Sequence, residues 1–253
     1  MKIAVYTCVT GSYEEIKVPS ILDSRIDYYC FTDKINLNES SWIYKKIELP
    51  GLNKRDQNRY IKMHPHRYFS EYDATVYLDG SIQIVGDIYE LVIEAMARDE
   101  LIFAYDHPQR NCIYQEAAAC SHFCHDWIWT ITALMRRYNH EDYPLNNGLF
   151  EAGVLIRKNK LPMIALMDEW WNEYHSGPKR DQLSLPVVAW RHDLLIRSLG
   201  KSDPRYTHKY FLFINHPRVV KLKLILRKYI NRSVAVLIPY HRLFGLGNRI
   251  YWK

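Results

Sequence analysis

The chain predicts an α/β fold: one domain with a mainly parallel central sheet over residues 1–203, followed by a basic, apolar extension over 204–253 that carries a helical stretch. Three observations lead there. Short β-rich apolar runs alternate with helix-patterned segments along most of the chain. The run Ala74-Thr75-Val76-Tyr77-Leu78 is nearly continuous in apolar character, as a strand covered on both faces would be. Finally, 253 residues that are 48% apolar and 25% charged can fill one large core, and neither an internal repeat nor a linker marks a second domain.

The elements follow in order. Residues 2–9 form a short buried strand closed by Thr10-Gly11-Ser12. After a polar segment with Pro19, Tyr28-Tyr29-Cys30-Phe31-Thr32 is a second strand and Ser41 to Ile47 a third. Asn58 to Met63 suits a helix that Pro65 stops. The strand 74–78 delivers Asp79-Gly80-Ser81 at its carboxyl end. A helix over 88–98 precedes a buried strand over 101–105, which ends at Asp106-His107. Residues 113–139 are helical in pattern, Pro144 separates them from a strand at 149–156, and 161–175 return to a helix. That last helix places Met163, Met167, Trp170, Trp171 and Tyr174 on one core-facing side.

Composition excludes whole classes. The chain is not disordered, collagenous or low in complexity. No apolar run reaches the roughly 18 residues of a membrane span, and the Met1 to Tyr6 run is too short for a signal-peptide core. Five cysteines are too few and too scattered for a disulfide framework, which points to an intracellular protein with reduced thiols. The net charge of +6 is unevenly spread. Residues 1–203 hold 23 Lys/Arg against 28 Asp/Glu, whereas 204–253 hold 11 Lys/Arg and no acid. The tail therefore expects an anionic partner. It is rich in Leu, Ile and Val and shows no nucleic-acid recognition motif, so a membrane surface is favoured over nucleic acid. Between Pro217 and Arg232, Val219, Leu222, Ile225, Leu226, Tyr229 and Ile230 make an apolar stripe on a helix. Lys221, Lys223, Arg227, Lys228 and Arg232 flank it. Such a stripe either packs on the core or docks residues 217–253 on an anionic bilayer.

Three local patterns carry chemistry. In open α/β sheets ligands bind beyond the carboxyl ends of strands, where Asp79 stands. A carboxylate there can hold a divalent cation that bridges two phosphates, or simply cap local NH groups. Arg55, Arg59 and Lys62 share one helix face and can grip a diphosphate, or be a solvated face. Asp106 and His107, with Arg110 and Glu116 close behind, form a second polar concentration. The Cys120, His122, Cys124 and His125 group has metal-ligand residue types but no second ligand pair at zinc-finger spacing, so zinc is not expected.

These segments in order resemble a known family: the glycosyltransferase-like domain found in bacterial polysaccharide clusters and in plant proteins linked to turgor regulation and seed mucilage. The resemblance spans about residues 3–190. It runs from Tyr6-Thr7, Gly11-Ser12-Tyr13 and Pro19 through Tyr29 to Asp33, then Arg55, Arg59, Lys62 and Pro65. Tyr77 to Ile82 follow, then Phe103-Ala104 with His107, Arg110 and Glu116. Pro144 to Arg157 and Trp171 to Ser184 complete it.

The resemblance implies a single GT-A-like (Rossmann-like) domain, a nucleotide-sugar donor and transfer to an acceptor hydroxyl. On that reading Thr7, Gly11 and Tyr13 hold the nucleoside, with Tyr13 stacked on the base. Arg55, Arg59 and Lys62 neutralise the diphosphate, and Asp79 and Ser81 border it. Mn²⁺ or Mg²⁺ would sit on Asp79, with His216 as a further ligand. Asp106, His107, Arg110, Glu116 and Glu151 line the sugar and acceptor side. Asp181 is the general base if the reaction inverts, and Gln182 lies beneath the anomeric carbon if it retains. The GT-A class usually carries Asp-x-Asp, and here the third position is Ser81. A cytoplasmic enzyme of surface-polysaccharide assembly, peripheral on the inner membrane face and acting on a glycan or lipid-linked acceptor, is the expectation. The alternative is a non-catalytic glycan- or nucleotide-binding module on the same fold.

Overall fold

The computed structural model describes residues 1–11, 15–34, 41–215 and 222–246. Nine strands and nine α-helices follow one another among them. The first part contains β1 (Ile3–Val9), β2 (Ile26–Thr32), β3 (Ile43–Lys46), α1 (Lys54–Met63), α2 (Pro65–Tyr68), β4 (Ala74–Leu78) and β5 (Ile82–Ile84). Next come α3 (Tyr89–Met96), β6 (Ile102–Asp106), α4 (Ile113–His122), α5 (Ile128–His140), β7 (Phe150–Lys158) and α6 (Leu161–Ser176). A 3-10 turn (Asp181–Leu183) leads into α7 (Leu185–Arg191), β8 (Ile196–Ser198), β9 (Phe211–Phe213), α8 (Leu222–Leu237) and α9 (Tyr240–Leu243).

Seven strands form the central sheet in the order β3-β2-β1-β4-β7-β6-β8, and β5 pairs with β9 in a small second sheet. β1 pairs in parallel with both β2 and β4, β2 with β3, and β6 with β8. β7 alone runs against its neighbours β4 and β6. The expected mainly parallel α/β architecture is therefore present. Period-two alternation divides the core. Ala4, Tyr6 and Cys8 of β1 face the layer of α1 and α6, while Ile3 and Val5 face that of α3, β5 and β9. A third cluster lies among α4, α5, α7 and α9 around Tyr114, Tyr138 and Phe244.

Two expectations change. The helical pattern over 113–139 is two helices, because Cys124 adopts φ +60°. The His125 and Cys124 NH groups close back onto the Cys120 and Ser121 carbonyls at 2.9 and 3.2 Å, a Schellman-type end without its usual glycine. The domain boundary expected at 203/204 falls inside the fold. Asp203, buried, accepts the NH groups of Lys209, Tyr210 and Phe211 at 2.8–2.9 Å and thereby shapes the turn that brings β9 onto β5. The extension past it also packs on the domain: Leu243, Phe244 and Leu246 are buried in the third cluster.

Candidate active site

The cleft opens at the carboxyl ends of β1, β4 and β6. β7 runs the other way, so its amino end lies at the same edge, with Phe150 opposite Asp106 and Val154 opposite Leu78. The register between β6 and β7 shifts at Ala104/Tyr105: Leu155 faces Ala104, but Glu151 faces Tyr105. That bulge re-aims Glu151, Ala152 and Gly153 into the cleft, as bulges at sheet ends often do. At Gly153 an added Cβ would stand 3.0 Å from Ile82 Cδ1 and 3.5 Å from Asp79 Oδ2, so the missing side chain leaves the edge of Asp79 open.

The cleft is lined by Arg59, Lys62, Asp79, Ser81, Glu151, Arg180, Asp181, Gln182 and Arg205 among others. Asp79 does not cap its own turn. Its Oδ1 accepts the Tyr77 hydroxyl at 2.9 Å and stands 3.5 Å from Lys62 Nζ and 3.8 Å from Arg59. Lys62 has no exposed surface, and its Nζ lies 2.5 Å from Asp181 Oδ2, which Arg59 Nε approaches at 3.2 Å. The Trp170 indole NH fixes the turn by donating to the Asp181 carbonyl at 3.0 Å. Burial pushes the Asp181 carboxyl up, but Arg59 and Lys62 outweigh it and hold the group well below the usual carboxylate range. Glu151, at 13% side-chain exposure, accepts from Ser202 and from Arg205 Nε at 2.5 Å.

Arg180 joins the cleft to a second cluster through Glu116 Oε1 at 3.3 Å. Glu116, 2% exposed, also takes Arg110 at 2.8 Å and faces His107 Nε2 at 3.5 Å. Burial pushes Glu116 up, but Arg180, Arg110 and His107 prevail and keep it low. His107 Nδ1 accepts the NH groups of Gln109 and Arg110 at 3.3 and 3.2 Å, and its Nε2 faces both Glu116 at 3.5 Å and the Arg110 guanidinium at 3.4 Å.

Of the residues expected from sequence, Arg59, Lys62, Asp79, Ser81, Glu151, Asp181 and Gln182 come together in the cleft. His107, Arg110 and Glu116 form the adjoining cluster rather than cleft wall. Arg55 is exposed on α1 and outside the lining, because its helix face is wider than the cleft. Asp106 is exposed at the end of β6 and likewise stands apart. Thr7 is buried within β1 with no partner for its hydroxyl. Gly11 adopts φ +66° and gives its NH to both Asp33 oxygens at 2.9 and 3.1 Å. Tyr13 and His216 lie outside the described residues. Asp181 is reassigned on physical grounds: a carboxylate clamped by two cations and held this acidic positions Lys62 and Arg59, and is a poor proton acceptor. Sequence reasoning missed Arg205, Gly153 and Asn58. Asn58 joins the end of β1 to the cleft, donating to the Cys8 carbonyl at 2.5 Å and accepting Arg59 at 2.5 Å.

Among the described residues no three His, Cys, Asp or Glu side chains form a metal-binding group. Asp79 offers one open carboxylate edge beside Gly153. That suits a hard cation arriving with a diphosphate, since Mg²⁺-type ions are commonly held by one or two carboxylates plus substrate phosphates.

A crystal structure of mouse xyloside xylosyltransferase 1 in its apo form is similar at 11% identity, over 78% of this chain and 84% of that one, with a TM-score of 0.46. No curated protein sequence matches. The profile of one family matches residues 1–215, through β9 and the whole cleft. The chain belongs to that family, the TOD1/MUCI70 glycosyltransferase-like domain, and its function is of the glycosyltransferase type.

Proposed function

We propose that the protein moves a sugar from a nucleotide-sugar donor to a hydroxyl of a glycan or lipid-linked acceptor, as in surface-polysaccharide assembly. The observation that supports this most is the charge of the cleft. Arg59, Lys62, Arg180 and Arg205 converge on it beside Asp79, Glu151 and Asp181, with Glu116 behind Arg180, at the sheet edge where α/β folds bind ligands. Ion pairs within the cleft hold Arg59, Lys62 and Arg205, and Glu116 of the adjoining cluster holds Arg180, before a ligand arrives, which is the preorganisation that stabilises developing charge.

The acceptor oxygen bonds to the anomeric carbon as the bond from that carbon to the diphosphate oxygen breaks. The nucleoside diphosphate leaves with the electron pair, and the acceptor proton goes to a base. Arg59 and Lys62 take up the charge that grows on the leaving group. Glu151 is the cleft carboxylate we assign to the proton if the reaction inverts, Arg205 and Ser202 orienting it. If the reaction retains, Gln182, held by the Phe150 carbonyl at 3.2 Å, lies beneath the sugar. A Mn²⁺ or Mg²⁺ on Asp79 would supply further electrostatic neutralisation of the diphosphate.

The test is nucleoside diphosphate release from a panel of nucleotide sugars, with and without glycan and lipid extracts, in Mn²⁺ and in EDTA. Release that rises with acceptor and falls in Glu151→Gln supports the reading. Donor binding without turnover under every condition overturns it and leaves a non-catalytic binding module, the reading that Ser81 in place of a second acid favours.

A further inference from the structure

The described part of the acid-free tail contains α8, which meets the domain on one side only. Asn231 is fully buried on that side. Its Oδ1 accepts the Ile128 NH at 3.0 Å, and its Nδ2 donates to the Ser121 and Asp126 carbonyls at 3.0 and 2.9 Å. Taking about 100° per residue, Asn231 lies about 160° round the helix from Tyr229. Ile225, Leu226, Val236 and Leu237 all fall within about 80° of Tyr229, on the outer face. They are exposed there: Leu226 58%, Tyr229 69%, Val236 83% and Leu237 79%. Of the stripe expected from sequence, Ile225, Leu226 and Tyr229 therefore face away from the core and Ile230 is half-buried, while Val219, Lys221 and the side chains of Leu222 and Lys223 lie outside the described residues. Lys228 and Arg232 stand exposed at its margin, and no Asp or Glu occurs anywhere from 204 to 253. Two more exposed aromatics sit on the segments to which Asn231 is bonded: Phe123 at 60%, and Trp129 next to Ile128 at 53%.

We infer that this outer face of α8 docks the protein on an anionic lipid bilayer. Charge decides the occupant. Apolar residues with a basic margin match the headgroup and acyl boundary of an acidic membrane, whereas a second copy of the same face would set like charges against one another. No described helix is long and apolar enough to cross a membrane, so the contact is with the surface. One helix links the cleft to the inner side of α8. α4 carries Glu116, which holds Arg180 of the cleft, and five residues on carries Ser121, whose carbonyl holds Asn231. At 1.5 Å per residue those points are about 7.5 Å apart along the helix. This deepens the proposed function by naming a membrane-embedded acceptor as the substrate class, and it rests on that reading only in this last step.

Co-sedimentation of the full chain with vesicles is the experiment, using phosphatidylcholine alone or mixed with phosphatidylglycerol, at low and high salt. We expect binding to the mixed vesicles at low salt, weakened about tenfold or more by high salt or by Lys228→Glu with Arg232→Glu. Tyr229→Asp with Leu237→Asp should abolish it while the melting temperature stays unchanged, since both side chains are exposed. Failure to bind mixed vesicles at low salt overturns the inference. So does unaltered binding by the Asp variants, or a dimer in solution that those variants dissolve when vesicles are ignored. None of these readouts uses turnover, so sugar transfer without vesicle binding defeats the membrane inference alone.

Discussion

Lys62 is an ammonium group with no water contact, and its charge is met by Asp181 at 2.5 Å. Removing one partner of such a pair strands the other, a loss of about 3–5 kcal/mol in buried settings. We therefore expect Asp181→Asn to reduce the free energy of urea unfolding by about 3 kcal/mol. The double variant Lys62→Met, Asp181→Leu should regain most of that; strictly additive losses would show that the two are not coupled. Asp79 differs, since its side chain is 30% exposed and has an open edge. Asp79→Asn keeps the shape, so turnover should fall about a hundredfold or more with little change in melting temperature. Equal turnover in a metal-supplemented assay would remove Asp79 from the site. Both residues, with Arg59 and Gln182, were legible in the sequence because a strand end, a helix face and a loop-to-helix entry are local patterns. Arg205 and Gly153 were not, because no local pattern announces a distant hairpin or a bulge.

The elements that mattered most were those whose place depends on partners far along the chain. β9 is three residues long and owes its position to the turn Asp203 organises. The same turn returns Pro204 and Arg205 to the cleft, and the Phe213 NH donates back to the Pro204 carbonyl at 2.8 Å. Asp203→Ala leaves the buried Phe211 NH and the part-buried NH groups of Lys209 and Tyr210 without an acceptor, and a loss of about 2–3 kcal/mol is expected. Hydrogen exchange should then rise first at 207–213, and donor binding should weaken as Arg205 loses its support. Protection unchanged over that segment would refute the role given to Asp203. Charge asymmetry placed the boundary at 203/204, but the fold continues through β9, which pairs with β5. Composition reads the solvent-facing character of a segment and is blind to a short strand pairing 130 residues away. The broken helix at Cys124 escaped for a similar reason: its αL residue is not a glycine.

At the scale of the molecule, buried titratable groups tie stability to pH. His64, 1% exposed, stacks on Tyr60, points Nδ1 at the Tyr60 carbonyl and faces Asp168, His66 and Arg67. Burial lowers its pKa from 6.5 to about 4. Between those values the unfolded chain binds the proton and the folded one does not, so stability rises with pH there. It is complete above about 6.5 and lost as pH falls toward 4, by about 3 kcal/mol at most. Urea unfolding of wild type and His64→Gln across this window checks it: the variant should show the shallower dependence, and parallel curves would count against it. The overall architecture was legible because strand and helix periods repeat over the whole chain. The direction of β7 was not, since a run of apolar residues reads the same either way.

That reversed strand has a consequence for how the cleft can change. In a wholly parallel sheet, ligand-facing residues all come from the loops that follow strands. Here the stretch 141–149, which precedes β7, leads into Glu151 of the cleft and borders the adjoining cluster, where the Leu149 carbonyl accepts the His107 NH at 2.9 Å. Tyr143 and Leu149 are buried with Leu183 of the turn that carries Asp181, so the positions open to exchange are the exposed ones between them, Pro144, Asn146 and Asn147. On the proposed reading, α1 meets the leaving group while the strand's entry borders the acceptor side, so new acceptors can be sought by changing a few exposed positions ahead of β7.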